Sequence, residues 1–159
     1  MTDKPSTGSV DRVRAALVAA GHSDTITAFS DSTRTAADAA AAVGCTVAQI
    51  AKSIMLRAGE TPVLVVTSGA NRVNTAKIAD LVGRPIKRAD ADWIRAVTGF
   101  AIGGVAPVGH ITPPTVLIDE DLQALDPIWA AAGAPNSVFE TNFAALVRVS
   151  GGRIADVKE

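Results

Sequence analysis

A single lysine lies inside an otherwise apolar stretch of the sequence, and it is the first candidate for chemistry. Lys52 follows Ile50-Ala51 and precedes Ser53-Ile54-Met55-Leu56, a setting in which burial of an unpaired ammonium would be costly. One interpretation is structural, with the aliphatic stem covering apolar surface while the head group reaches water. The other is catalytic: Lys52 would be a fixed cation for an anionic ligand or for a developing oxyanion.

A glycine-rich loop is the second candidate. From Gly103 to His110 the sequence is Gly-Gly-Val-Ala-Pro-Val-Gly-His. Adjacent glycines allow successive N–H groups to converge on one oxygen, and Pro107 lacks an N–H and stiffens the loop. A tight turn is the simpler alternative, but three glycines, a proline and a histidine in eight residues exceed what a turn requires. The functional interpretation is an oxyanion site, in which the Gly104 N–H would approach a carbonyl of the bound molecule.

Several other kinds of chemistry are excluded because their residues are missing. The single Cys45 excludes an intrachain disulfide and any multi-cysteine metal site. The two histidines, His22 and His110, cannot form a three-histidine metal site. The sequence contains no G-x-S-x-G, H-E-x-x-H, Walker A or G-x-G-x-x-G motif. We therefore expect neither a bound metal nor a cofactor.

The elements that must position these residues predict one α/β domain. A chain of 159 residues with 48% hydrophobic and 19% charged residues is typical of a single globular domain. We assign residues 1–159 to it, with residues 1–8 as a flexible N-terminus. Helices and short strands are interspersed, and Lys52–Arg57 and Val63–Thr67 flank a short polar loop as in a hairpin. The predicted fold is a mixed, largely antiparallel central sheet flanked by helices.

The positions of the elements follow from caps, glycines and apolar periodicity. The sequence predicts helices from the cap Ser9 to the stop Gly21, over Thr35–Val43, Asn74–Val82 and Ala91–Val97, from Pro127 through Trp129 to Ala132, and from Asn142 to Val149. It predicts strands over Ile26–Phe29, Lys52–Arg57, Val63–Thr67, Ile86–Arg88, Thr115–Ile118, Val138–Thr141 and Ile154–Val157. Because Val63–Val66 is apolar without alternation, that strand should be central and covered on both faces.

Charge is distributed unevenly although the net charge is only −1. Lys52 to Arg95 contains eight basic and four acidic residues, whereas Ala96 to Val147 contains no lysine or arginine and five acidic residues. The two blocks predict a basic face beside an acidic one, and the alternative is that both are solvated surface. Within the acidic block, Asp119-Glu120-Asp121 is expected to be a surface turn.

Three motifs in fixed order point to a known family. Lys52 within Ala-Lys-Ser-Ile, Gly104-Val-Ala-Pro107 followed by Val-Gly-His, and the stretch Leu117–Leu122 together resemble the YbaK/prolyl-tRNA synthetase-associated editing domains. The resemblance extends from about Thr25 to Val157. Members of this family are free-standing proteins, or inserts in prolyl-tRNA synthetase, that hydrolyse mischarged aminoacyl-tRNA. Some members carry a pocket histidine in the segment matching Ala132–Asn136, where this chain has none.

The resemblance implies a pocket between the strand lysine and the glycine-proline loop, and it organises the predicted site into three groups. The catalytic group is Lys52, Gly103, Gly104 and Pro107. Substrate contacts are expected from Ser53, Val105, Ala106, His110 and Asn136. The basic block would meet tRNA phosphates, with Arg72, Arg84, Lys87 and Arg88 as the exposed candidates.

These residues lead to one preferred function and two alternatives. The preferred function is a trans-acting deacylase of mischarged tRNA-Pro, with aminoacyl-tRNA as substrate and prolyl-tRNA synthetase as a further partner. A non-catalytic binding module for an aminoacyl or nucleotide group would use the same pocket, and a small-molecule ester hydrolase would dispense with tRNA. No apolar run reaches the roughly 18 residues that span a bilayer, and Met1–Ser9 lacks the apolar core of a signal peptide. We expect a cytoplasmic protein, either a monomer or a weak homodimer.

Overall fold

Helices and strands are interspersed along residues 5–30 and 35–159, the part of the chain that the computed structural model describes. The helices are α1 (Pro5–Ala19), α2 (Ala36–Val43), α3 (Thr75–Val82), α4 (Ala91–Thr98) and α5 (Phe143–Ser150). The strands are β1 (Ile26–Ala28), β2 (Ile50–Ala58), β3 (Thr61–Ser68), β4 (Lys87–Arg88), β5 (Thr115–Asp119), β6 (Ile128–Ala131), β7 (Ser137–Thr141) and β8 (Arg153–Ala155). Short 3-10 helices cover Val47–Gln49 and Glu120–Ala124.

The strands form one mixed sheet in the order β1-β7-β6-β2-β3-β5-β8, and β4 pairs separately with β2. Pairing is antiparallel for β2 with β3, β2 with β4, β6 with β7 and β1 with β7. It is parallel for β2 with β6, β3 with β5 and β5 with β8. The predicted mixed, largely antiparallel sheet flanked by helices is confirmed.

Strand β3 is the centre of the hydrophobic core, as its continuous apolar sequence predicts. Every residue from 63 to 66 is fully buried, and alternate side chains enter different clusters. Leu64 and Val66 pack in the cluster that includes Val13 and Leu17 of α1. Val63 and Val65 pack in the cluster that includes Ile78 of α3. The sheet is therefore covered on both faces, and the strand that pairs with β2 has little freedom to move.

Four helices begin and end where the sequence predicts, because the cap residues form the expected bonds. The side chains of Thr35, Asn74, Asp90 and Asn142 each accept hydrogen bonds from backbone N–H groups in the first turn of α2, α3, α4 and α5. Each of these helices ends at a glycine with positive φ, a conformation that other residues rarely adopt: Gly44, Gly83, Gly99 and Gly151.

Two predicted elements are wrong in position or type. Helix α1 begins at Pro5 and not at Ser9, so residues 5–8 of the expected flexible N-terminus are helical, while residues 1–4 lie outside the described residues. The segment around Trp129 is strand β6 and not a helix. Its side chains alternate between buried and half-buried, and it pairs with β2 on one edge and β7 on the other. Tertiary pairing therefore overrides the helix propensity of its alanines.

Core burial in β5 predicts a large difference between two isoleucines. Ile118 is fully buried, whereas Ile111 is 61% exposed. Truncation of Ile118 leaves a cavity between β5 and its neighbours, so Ile118→Ala should lower the free energy of unfolding by about 2–5 kcal/mol. Ile111→Ala, the matched control, should change it by less than about 1 kcal/mol. Urea unfolding followed by circular dichroism measures both, and equal losses would contradict the assigned core.

Candidate functional site

The candidate site lies at a gap along one edge of β2. On its other edge, β2 pairs with β3 from Ala51 to Ala58. On the edge in question, β6 pairs only with Ile50 and Ala51, and β4 pairs only with Leu56 and Arg57. Residues 52–55 thus have no strand partner there among the described residues. Peptide groups at an unpaired edge can bond to a ligand, so the fold leaves a short stretch of open backbone beside Lys52.

A cavity of about 290 Å³ opens at this gap. Strand β2 contributes the cavity residues 50–54, and the glycine-rich loop contributes Gly103 and Val105. The remaining walls are largely small or apolar side chains from α2, β6, β7 and the loop: Thr35, Ala36, Ala39, Ile102, Trp129, Ala130, Ala131 and Val138. The structure therefore brings together four of the sequence-predicted residues: Lys52, Ser53, Gly103 and Val105.

Lys52 is a half-buried cation without a counter-ion. Within residues 5–30 and 35–159, the structure records no ion pair or hydrogen bond of its ammonium. Burial lowers the pKa of Lys52 below its ordinary value of 10.5, and the positive charge of Arg72 lowers it further. Two cations thus act on the same site, and an anionic group entering it would relieve both desolvation and repulsion.

Ser53 supplies a second polar group with unused bonding capacity. Its Oγ atom is buried and has no hydrogen-bond partner among the described residues. Buried hydroxyls are nearly always bonded in folded proteins, to protein or to water. Because Ser53 lines the cavity, a bound molecule in the cavity could complete its bonding.

The glycine-rich loop differs in one respect from its predicted role. The Gly104 N–H donates to the Ala101 carbonyl at 3.0 Å, so it is already occupied by a protein oxygen. A Cβ at Gly104 would lie 2.9 Å from the Cα of Ala134, so glycine is required there by close backbone contact. The positive φ, 90°, belongs to Gly103. Gly103 and Val105 are the loop residues that line the cavity.

An arginine that sequence analysis missed, Arg12, supports the glycine-rich loop from helix α1. Arg12 of α1 donates from Nε to the Gly109 carbonyl at 2.7 Å and from Nη2 to the Gly99 carbonyl at 3.1 Å. Its guanidinium also lies 4.8 Å from the centre of the Phe100 ring. Helix α1 therefore fixes the glycine-rich loop near its C-terminal end at Gly109 and also contacts Gly99, the residue that ends α4 before the loop. Nothing in the local sequence around Arg12 signals this contact, because its partners are about ninety residues away.

His110 and Asn136 form structural hydrogen bonds outside the cavity lining. His110 Nε2 donates to the Ala106 carbonyl at 2.6 Å and closes the loop. Burial lowers the pKa of His110 below 6.5, the bond to Ala106 opposes this, and the charge of Arg12 lowers it again. Asn136 donates from Nδ2 to the Phe29 carbonyl at 2.8 Å. Ala106 and Pro107 are buried within the loop and do not line the cavity.

The four basic residues predicted to meet tRNA are found in two places. Arg72 is exposed and acts electrostatically on Lys52. Arg84, Lys87 and Arg88 instead line a separate open cavity at the far end of β2. The basic block is thus divided between the candidate site and a second surface.

Asp119 is not in a surface turn, as the sequence suggested, but fully buried. Its Oδ2 accepts hydrogen bonds from Thr67 Oγ1 at 2.9 Å, the Ser68 N–H at 3.0 Å and Asn71 Nδ2 at 2.8 Å. Its Oδ1 accepts one from the Asp121 N–H at 2.9 Å. Thr67 is the cross-strand neighbour of Lys52, so this carboxylate fixes the strand end against which Lys52 packs.

Comparisons with known proteins agree with this fold. A family model described as the aminoacyl-tRNA editing domain matches residues 30–149. The chain is 29% identical to the uncharacterised protein YwhH of Bacillus subtilis over 83% of this chain and 85% of YwhH. It is 29% identical to a proline–tRNA ligase of Lactobacillus helveticus over 58% of this chain but only 16% of the ligase.

A solved structure covers the whole fold. A crystal structure provisionally described as a trans-editing enzyme for prolyl-tRNA synthetase is 40% identical, with a TM-score of 0.90 over 99% of both chains. Together with the family match, it assigns the fold to a known class of domain. The chain belongs to the aminoacyl-tRNA editing domain family. Within its described residues, no helix is both long enough and apolar enough to cross a membrane.

Removal of the Arg72 charge should raise the pKa of Lys52. Since burial is the larger cause of the lowered pKa, Arg72→Ala should return it only part of the way toward 10.5. NMR titration of the Lys52 Cε and Nζ resonances measures the change. Arg84→Ala is the matched control, because Arg84 is not among the charges that lower this pKa. An unchanged Lys52 titration in Arg72→Ala would show that the two cations do not interact.

Replacement of the buried carboxylate by an amide should destabilise the fold. In Asp119→Asn one carboxylate oxygen is replaced by an NH2 group, which is itself a donor. It would face the backbone or side-chain donors that now bond to the oxygen, and these hydrogen bonds would be lost. An unsatisfied buried group costs about 1–3 kcal/mol, and we expect a loss of that size in the free energy of unfolding. Glu120→Gln, the exposed neighbour, is the control and should change it by less than about 0.5 kcal/mol. Equal stabilities of the two variants in urea would contradict the network.

Proposed function

We propose that the protein is a trans-acting deacylase that hydrolyses the ester bond of mischarged aminoacyl-tRNA. The observation that carries this proposal is the half-buried Lys52 ammonium, which has no counter-ion among the described residues and lines the cavity beside the unbonded Ser53 hydroxyl. Such a cation suits an oxygen that gains negative charge during the reaction. Membership of the editing-domain family supplies the kind of substrate.

The chemistry requires positioning more than a strong catalyst. Water adds to the ester carbonyl carbon and gives up one proton, and the carbonyl oxygen becomes an oxyanion. The C–O bond to the ribose then breaks as the carbonyl re-forms, the ribose oxygen takes up the proton that the water gave up, and the amino acid leaves with a free carboxyl group. An aminoacyl ester is intrinsically labile, so neither a covalent nucleophile nor a metal is needed. Lys52 would stabilise the oxyanion or a neighbouring phosphate. The N–H groups of Gly103 and Val105 would take the role that the sequence suggested for Gly104.

Selection among amino acids would rest on the size of the cavity. A volume of about 290 Å³ with walls mostly of alanine, valine and isoleucine would set an upper limit on the size of the group that enters. A hydrophobic pocket discriminates one extra or one missing methylene by only about 1–3 kcal/mol, and an editing site adds selectivity because it hydrolyses only those products that are small enough to enter it. Ser53 would hold a polar part of the aminoacyl group. We propose tRNA-Pro carrying a wrong small amino acid as the substrate, because two similar proteins are described as a trans-editing enzyme for prolyl-tRNA synthetase and as a proline–tRNA ligase.

Partners and location follow from the same substrate. Arg72 would contact a phosphate at the end of the tRNA close to Lys52, since both are cations at one site. Prolyl-tRNA synthetase would be the source of the mischarged tRNA, and the protein would act on it in the cytoplasm. No cofactor is part of the proposal.

A binding module without turnover is the alternative from a different class. It would use Lys52 and Ser53 to hold an aminoacyl or nucleotide group, and nothing in the cavity geometry requires water to react. A small-molecule ester hydrolase is disfavoured by the basic residues outside the cavity, since a small ester does not reach them. Turnover of mischarged tRNA by the purified protein distinguishes the deacylase from both alternatives.

Loss of the Lys52 charge should abolish most of the activity. Lys52→Met keeps the length of the side chain but removes its ammonium. We expect deacylation of mischarged tRNA-Pro to fall by roughly 10²-fold or more, about 3 kcal/mol of transition-state stabilisation. Single-turnover rates at saturating enzyme report this loss without interference from weaker tRNA binding.

The control for this experiment is Arg153→Met, which removes an exposed cation of β8 and should leave the rate within about twofold. A melting temperature close to that of the unmodified protein establishes that Lys52→Met is folded. A wild-type rate in the folded variant would end the catalytic assignment of Lys52. Binding of a non-hydrolysable aminoacyl-tRNA mimic, with no turnover of any mischarged tRNA by the unmodified protein, would favour the binding module.

A further inference from the structure

A second cavity of about 580 Å³ lies at the end of β2 opposite to the candidate site. We call it the basic cavity, and it is lined by Arg57, Glu60, Arg84, Lys87 and Arg88 together with Gly59 and Pro85. Four of these seven residues are cationic and one is acidic. Its walls come from the β2–β3 turn, the segment after α3 and strand β4, so chain segments that are distant in sequence meet there.

Most of the positive charge in the basic cavity is uncompensated. The single carboxylate, Glu60, is in an ion pair with Arg57. The guanidinium of Arg57 also stacks on the Trp93 ring, 4.3 Å from its centre. Arg84, Lys87 and Arg88 are exposed and form no ion pair within the described part of the chain. Asp90, the nearest carboxylate in sequence after β4, instead caps α4. Three free cations therefore face one concave surface.

The cations are attached to rigid backbone. Arg88 and Lys87 pair with Leu56 and Arg57 of β2, which fixes their Cα positions relative to the candidate site. Arg84 donates from Nη1 to Thr61 Oγ1 at 3.0 Å, and its Nη2 lies over the turn at Gly59. A preorganised set of cations loses less side-chain entropy when it binds an anion than three freely moving ones would.

The spacing along β2 relates the two cavities to each other. The Cα atoms of Lys52 and Arg57 are five residues apart on one strand, and at about 3.3 Å per residue they are separated by about 17 Å. Because the two side chains point to opposite faces of the sheet, an RNA strand that contacts both cavities would follow the edge of β2 on which β6 and β4 pair. One strand of B-form DNA rises about 3.4 Å per nucleotide, and a stacked A-form RNA strand rises somewhat less. The same distance therefore spans about five nucleotides or slightly more. In a tRNA whose 3′-terminal adenosine is at Lys52, this position is where the single-stranded end joins the double-stranded acceptor stem.

We propose that the basic cavity binds the phosphodiester backbone at the junction of the acceptor stem and the single-stranded 3′ end. The inference rests on the proposed function, which identifies the RNA as a tRNA. It adds where the acceptor stem lies on the protein and which residues contact it. Phosphate contacts position a nucleic acid without reading its sequence. The basic cavity would accordingly favour long substrates over short ones and leave the choice of amino acid to the other cavity.

The test compares a long and a short substrate on the same preparation. The long substrate is an aminoacylated RNA hairpin that reproduces the acceptor stem, and the short one is an aminoacylated trinucleotide ending in adenosine. The ratio of kcat/KM for hairpin over trinucleotide measures the contribution of the basic cavity. In Arg84→Ala/Arg88→Ala this ratio should fall by about tenfold or more. The log–log salt dependence for the hairpin should become shallower by about 1 for each arginine removed.

The matched control is Arg148→Ala/Arg153→Ala, which removes the same charge from exposed positions on α5 and β8 and should preserve the ratio. An unchanged ratio in folded Arg84→Ala/Arg88→Ala would overturn the inference. If that variant does not fold, the unmodified protein still tests the idea: equal salt dependence for hairpin and trinucleotide would overturn it, and a steeper dependence for the hairpin would support it.

Failure of this inference can be told from failure of the proposed function. If the unmodified protein deacylates neither substrate, the proposed function fails. The basic cavity is then tested by equilibrium binding of the uncharged RNA hairpin, measured by fluorescence anisotropy. Binding that weakens about tenfold in Arg84→Ala/Arg88→Ala but not in the control supports the cavity as an RNA site, and binding unaffected by both variants overturns it.

Discussion

The arrangement of the site depends on one buried carboxylate. Asp119 ends β5 and accepts four hydrogen bonds, three of them from the end of β3 and the residues that follow it. A buried charge is tolerated only where donors replace its water, and these donors come from segments about fifty residues apart. The network joins two parallel strands at the end where Thr67 faces Lys52. The position of the candidate catalytic cation is thus set by a group that does not line the cavity.

The same end of the sheet combines opposite electrostatic situations. On one side, Asp119 has all its donors within the protein. On the other, Lys52 and Arg72 repel each other, and no carboxylate pairs with either in the part of the chain that the structure describes. Folding therefore fully satisfies the anion but leaves the cations in need of a partner. A protein interior usually pairs its charges, so this asymmetry is what distinguishes a binding site from an ordinary polar network.

Sequence reasoning succeeded where the determining contacts are local and failed where they are distant. The caps of α2 to α5, the β2–β3 hairpin and the buried β3 depend on neighbouring residues or on continuous hydrophobicity, and all of these are confirmed. Lys52 and the glycine-rich loop were recognisable because an isolated charge and clustered glycines are unusual in composition. That they share a cavity is a tertiary fact, which only the family resemblance anticipated.

The failures have specific physical causes. The sequence suggested that Asp119 lies in an acidic surface turn, because the groups that donate hydrogen bonds to it lie on another strand and just beyond it. Arg12 could not be recognised from the sequence, because the loop that it contacts is about ninety residues away. Trp129 was assigned to a helix because its alanine neighbours favour one, yet pairing on both edges makes that segment a strand. The role of Gly104 was misjudged because glycine also serves close packing of two backbones, here against Ala134.

The alanines that line the cavity constrain how its selectivity could evolve. Ala36, Ala39, Ala51, Ala130 and Ala131 present only methyl groups to the interior. Replacement of one of these alanines by a larger residue reduces the cavity volume by one or two carbon atoms at a time without moving the backbone. An increase in the cavity volume requires glycine in place of alanine, and glycine weakens helices and strands. Single substitutions in related sequences can therefore lower the size limit for the bound group more easily than they can raise it.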